Sequence, residues 1–148
     1  MRRLAGVLLL GLLTACVPAA TPPQVRLVSQ ATVHGMLLSV TLINAGPNEL
    51  LLENECPRPF VAGYRVVPVA EAAPLPEQTQ PCVAGALAPR RWRVGESLTA
   101  SVALDLPAGT RTLVAYAAPR VRRVVDGQAQ GDYRTVNVET PPLAVTLR

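Results

Sequence analysis

Residues 98–106 read LTASVALDL. Leu98, Ala100, Val102, Leu104 and Leu106 are apolar, and the residues between them (Thr99, Ser101, Ala103, Asp105) are small or polar. A period of two sends alternate side chains to opposite faces of a strand, so one face is built for a core and the other for water. Pro107-Ala108-Gly109 then supplies turn chemistry. The same pattern recurs on both sides. Upstream, Leu38, Val40 and Leu42 alternate with Ser39 and Thr41 until Asn44–Asn48 (NAGPN) breaks the run. Leu50 and Leu52 follow on a short apolar segment, which predicts a hairpin over residues 36–53. Tyr64, Val66 and Val67 start another strand, kept short or at an edge by Pro68. Downstream, residues 111–118, 133–139 and 143–147 read as further strands, with Pro141-Pro142 between the last two.

Beyond the first fifteen residues no window of about eleven residues carries a helical apolar stripe. Seven to nine short strands separated by Pro/Gly turns predict an all-β chain, a single immunoglobulin-like antiparallel β-sandwich over residues 25–148. That is the usual length of one domain with one core.

The front end is different in kind. Arg2 and Arg3 precede a short apolar run, Leu4 to Leu13, followed by the small residues Thr14-Ala15. This has the layout of a secretory signal over residues 1–15. Ten helical residues rise about 15 Å, half of a bilayer core of roughly 30 Å, so the run is too short for a permanent span. Leu13-Thr14-Ala15-Cys16 resembles the lipobox of bacterial lipoproteins at all four positions. The resemblance implies cleavage behind Ala15, a diacylglyceryl thioether on Cys16 and attachment to the membrane through that lipid. With Val17 as the second mature residue, the family's sorting habit implies the outer membrane where a cell has two. The alternative is an ordinary signal peptide with an incidental cysteine. Residues 16–24 hold three prolines (Pro18, Pro22, Pro23) and read as an extended tether.

Once Cys16 is taken by lipid, Cys56 and Cys82 remain as an even pair in an oxidising compartment. An intradomain disulfide between them would stabilise the fold by about 3.5 kcal/mol on the chain-entropy account. A metal-ligand or redox pair is the alternative, but there is no C-x-x-C, and the single histidine, His34, is distant in sequence.

The formal charge of +4 comes from 14 basic residues, all arginine, against 10 acids; losing Arg2 and Arg3 with the leader lowers it to +2. Together with an exported address and five aromatic rings for stacking, this argues against a nucleic-acid partner.

The order of four segments carries a second resemblance. LLSVTLINAGPNELLL (37–52), YRVVPV (64–69), RVGESLTASVAL (93–104) and LPAGTRTLVAYA (106–117) resemble the BsuPI-type intracellular proteinase inhibitor family. The matches fall on Asn44, on Gly95-Glu96-Ser97 and on Leu106-Pro107-Ala108-Gly109-Thr110. Val94 stands where that family usually has proline, and Arg111 where tyrosine is common. The resemblance implies an immunoglobulin-like domain and, as an alternative function, protease inhibition through the 56–82 loop.

No catalytic set can be assembled from this sequence. His34 lacks a triad partner and sits beside Gly35 as a turn residue; Ser97 lies in Gly-Glu-Ser, not in a G-x-S-x-G elbow. Glu49, Glu53 and Glu55 share one segment, but they read as solvent-facing neighbours of Leu50 and Leu52 and lack the Asp/Asn/Gly pattern of a calcium loop. The expectation is a chain with no catalytic residue, no metal and no cofactor.

Two basic clusters are the candidate partner-binding residues: Arg90, Arg91 and Arg93 around Trp92, and Arg120, Arg122 and Arg123. In a strand Arg91 and Arg93 share a face and Trp92 takes the other, turned into the core. Residues 70–80 and 125–132 read as connecting loops long enough to serve as binding surfaces. The expected partner is an envelope protein or a protease, and the expected role a non-catalytic binding or structural one.

Overall fold

Strand alternation governs the whole of the computed structural model, which describes residues 25–53, 58–68 and 88–148. Among the described residues there are eleven strands and no helix, and every strand pairing is antiparallel. The first six are β1 (Leu27–His34), β2 (Leu37–Asn44), β3 (Glu49–Leu52), β4 (Val61–Val67), β5 (Arg90–Trp92) and β6 (Ser97–Ala103). Then come β7 (Gly109–Ala118), β8 (Arg120–Val125), β9 (Gln128–Thr135), β10 (Val138–Glu139) and β11 (Leu143–Leu147). The count exceeds the expected seven to nine because bends divide long runs. Pro119 has no N–H to give a ladder and separates β7 from β8.

The strands form three sheets: β1-β2-β6, β5-β3-β8-β9, and a third in which β7 pairs with β4, β10 and β11. In the first, Leu38, Val40 and Leu42 are fully buried and stand opposite Val102, Ala100 and Leu98. On the other face Ser39 meets Ser101 at 3.1 Å and Thr41 meets Thr99 at 2.8 Å, hydroxyl to hydroxyl. One hydrophobic cluster joins these leucines and valines to Leu50, Leu52, Trp92 and Val121 of the second sheet and to Leu113, Ala115 and Val145 of the third. In the third sheet Gly63 lies opposite Tyr116, and a Cβ there would fall within 2.1 Å of the phenol oxygen. Glycine is the residue that lets that ring lie across β4.

The hairpin expected over residues 36–53 is not formed. β2 pairs with β1 and β6, whereas β3 pairs with β5 and β8 in a different sheet. The segment is a crossover. Apolar side chains of both strands are buried, and placing the strands in separate sheets lets both sets enter the common core. Asn44 holds the crossing point. Its side chain is fully buried; its amide donates to Asn48 O (3.0 Å) and Trp92 O (3.1 Å), and its Oδ1 accepts from Gly46 N–H (3.2 Å).

The connection expected over residues 125–132 is also different. Asp126 (φ 51°) and Gly127 (φ 76°) form a two-residue turn, and β9 begins at once. Positive φ at both positions is the type I′ signature whose twist suits a hairpin.

A tighter device orders the turn before β6. Glu96 Oε2 accepts from Arg93 N–H (2.9 Å), Oε1 accepts from the Arg90 guanidinium (2.8 Å), and Trp92 Nε1–H donates to Glu96 O (2.8 Å). The backbone hydrogen bond from Arg93, then the Arg90 side chain, hold the Glu96 carboxyl below its ordinary value of 4.5. A depressed carboxylate contributes stability above its unfolded pKa and loses it as pH falls through the folded one. Thermal melts of wild type and Glu96→Gln from pH 7 to pH 3 should show wild type more stable at neutral pH. The gap should close below about pH 4.5; a gap independent of pH would refute this role for the carboxylate.

Candidate functional site

The six arginines singled out by the sequence are divided by the fold. Arg90 pairs with Glu96 (2.8 Å), Arg91 with Glu49 (3.3 Å) and Arg120 with Glu53 (2.8 Å). Arg91 also donates to Gly127 O (3.4 Å), linking β5 to the β8–β9 turn. The arginine side chains of these pairs are about half exposed, a setting in which each pair contributes roughly 0.2–1 kcal/mol. Their larger effect is to neutralise the charge locally. Glu49 and Glu53 are thus partners of arginines; Glu55 lies outside the described residues. Arg93 is exposed beside the fully buried Trp92, as the alternation requires.

Arg122 and Arg123 belong to a different setting. β8 and β9 pair Val121 with Arg134 and Arg123 with Gln130, so Arg122 alone stands against Gly131, Asp132 and Tyr133. This is a β-bulge, helped by the positive φ of Gly131 (73°), and bulges re-aim the side chains around them. The Arg122 guanidinium lies 4.8 Å from the centre of the Tyr133 ring, a cation–π contact. Arg122 Nε and Tyr133 OH are both buried and have no hydrogen-bond partner among the described residues.

Beside the bulge is a concave groove of about 570 Å³. Among the described residues Arg122, Arg123 and Arg134 line it together with Asp132, with Gln130 and Asn137 as neutral polar groups. Val25, Val121 and Val136 supply apolar wall. Arginine side chains gathered at a concavity with apolar wall suit a carboxylate or phosphate group on an apolar stem.

No protein-family model, curated protein or solved structure matches this chain.

The groove joins part of one predicted cluster and Gln130 of the predicted 125–132 loop to Arg134 and Asn137, which sequence reasoning does not single out. The Asp126-Gly127 dipeptide was the available signal. Read as a hairpin turn, it folds β9 back on β8 and brings Arg134 and Gln130 beside Val121 and Arg123. His34 ends β1 on the exposed side, next to Gly35 with φ 59°. Among the described residues no three His, Cys, Asp or Glu side chains stand together as a metal site. Cys16, Cys56, Cys82 and residues 70–80 lie outside the described residues, while residues 61–67 of the 56–82 segment form β4.

Proposed function

We propose that this chain is a non-catalytic lipoprotein of the bacterial envelope, anchored through lipid on Cys16, whose immunoglobulin-like sandwich holds an acidic group of another envelope protein in the β8–β9 groove. The groove carries the reading: an arginine-lined concavity bordered by Val25, the first residue after the tether. The immunoglobulin-like reading draws support from strand order. A sheet β1-β2-β6 and a sheet β5-β3-β8-β9, linked by the Asn44 crossover, correspond to the A-B-E and C′-C-F-G orders of that architecture. The lipobox resemblance supports the anchor, with the outer membrane as destination. A disulfide between Cys56 and Cys82 would brace the segment that leaves β3 and returns to β5. The inhibitor resemblance keeps a rival activity in view, stoichiometric protease inhibition through the 56–82 segment.

The test uses a photo-crosslinking residue at Gln130 in intact cells, in the otherwise unaltered chain, in an Arg123→Glu/Arg134→Glu variant and in Cys16→Ser. A discrete protein adduct, lost on charge reversal while the domain keeps its strand circular dichroism, is expected. Cys16→Ser should leave the mature-lipoprotein fraction of the membrane. An adduct indifferent to charge reversal would overturn the groove, and unchanged membrane attachment of Cys16→Ser would overturn the anchor.

A further inference from the structure

β6 is an edge strand of an unusual kind. Among the described residues it pairs with β2 alone, in unbroken register from Ile43↔Ser97 to Leu37↔Ala103. Asn44 N–H donates to Glu96 O (3.2 Å) and Leu104 N–H to Met36 O (2.7 Å), which sets the phase of the ladder. Even-numbered residues of β6 therefore turn their N–H and C=O toward β2, and Ser97, Thr99, Ser101 and Ala103 turn theirs to the other side, where no described strand pairs with them. Sheets usually protect such an edge with lysine, proline, a bulge or a charged side chain. Ser97–Ala103 (SLTASVA) has none of these. The whole sheet is uncharged: β1, β2 and β6 contain no Asp, Glu, Lys or Arg, whereas every other strand except β11 contains at least one.

We propose that a second copy of this chain pairs with β6 across a two-fold axis, joining two β1-β2-β6 sheets into one continuous sheet. The sequence of β6 is complementary to its own reverse. Centred on Ala100, antiparallel pairing places Thr99 opposite Ser101 of the second copy and Ser97 opposite Ala103. It also sets Leu98 opposite Val102, and Ala100 opposite itself. The hydrogen-bonding residues of that pairing are the odd-numbered ones, the same set whose backbone groups point to the edge. On the outer face the Thr99–Ser101 pair extends the hydroxyl row already made by Thr41–Thr99 and Ser39–Ser101. On the core face apolar meets apolar, and no like charges oppose each other. The interface is isologous and closes at two copies. Within the chain's own residues 69–87, the stretch 74–81 carries Pro74, Pro76 and Pro81, which lack the N–H a ladder needs.

The experiment is sedimentation equilibrium on the full-length protein in detergent, comparing wild type, Ser101→Pro and Thr99→Lys. Ser101→Pro removes an edge-facing N–H while leaving the β2 ladder intact, and Thr99→Lys sets a charge in the new hydroxyl row. Wild type is expected to be dimeric, and both variants monomeric at the same concentration with unchanged strand circular dichroism. If Ser101→Pro fails to fold, Thr99→Lys alone decides. A monomeric wild type overturns the proposal, and with slow amide exchange at Thr99 and Ser101 it would show the edge covered by the chain's own segment. A wild-type dimer that survives the substitution overturns it as well, by placing the interface elsewhere.

Discussion

Trp92→Ala is expected to lower the unfolding free energy by about 3–5 kcal/mol, the range for deleting a large aromatic from a packed core. Trp92 is fully buried, and it is the only tryptophan in a chain with one phenylalanine. Its neighbours in the cluster are chiefly leucine, valine and alanine, whose strand backbones cannot close on a void of that size. Residue 92 also ties two turns, the first through its indole and the second through its backbone. Nε1–H donates to Glu96 O, and the Trp92 carbonyl accepts from Asn44. Because substitution removes the intrinsic fluorophore, urea unfolding should be followed by far-UV circular dichroism. A companion Trp92→Phe keeps most of the apolar volume and loses the N–H, and should cost roughly half as much or less. For a domain of this size the alanine variant should melt at least about 12 °C lower. A loss under about 1 kcal/mol would show that the ring is not the centre of the core.

The second large effect is expected at Asn44. In Asn44→Ala the carbonyls of Asn48 and Trp92 and the N–H of Gly46 all lose their partner within a buried crossover. Two of these bonds are buried and the one to Asn48 is part-buried; each orphaned buried group costs about 1–3 kcal/mol, so a total loss of at least about 2 kcal/mol should follow. Asn44→Asp separates the donor from the acceptor role. An ionised aspartate still accepts from Gly46 N–H but confronts two carbonyl oxygens, in a site with no exposure to water. Burial would raise the folded pKa of that aspartate, so its penalty is full above the folded pKa and shrinks as pH falls toward the unfolded one near 4. Chemical unfolding at pH 7.5 and pH 5 should therefore show Asn44→Asp recovering part of its deficit at the lower pH, and Asn44→Ala recovering none. Wild-type stability in the alanine variant would remove Asn44 from its place at the crossing.

These two residues also mark how much of the molecule was legible before folding. The alternation in residues 98–106 predicts which side chains of β6 are buried, and the structure buries Leu98, Ala100, Val102 and Leu104. Trp92 was legible for the same reason, since its strand neighbours Arg91 and Arg93 belong in water. Asn44 was visible as the end of a strand but not as a buried hub. Two of its hydrogen bonds are local, and the third reaches Trp92, across 48 positions of sequence. The arginine clusters were legible as charge but not as a site. Glu49 and Glu53 neutralise Arg91 and Arg120 from elsewhere in the chain, and Arg134 arrives in the groove through a turn mistaken for a loop.

Strand character and the choice of buried face are local properties. A side chain's direction relative to its neighbours follows from the pleat, and the residues themselves state which side is apolar. Strand partnership is not local. Leu38, Val40 and Leu42 can share a core with Leu50 and Leu52 either side by side in one sheet or face to face across two, and the alternation is the same in both. What separates the two arrangements here is whether the Asn44 amide can satisfy Trp92 O while both sets of leucines lie buried, a condition that exists only once distant strands have met.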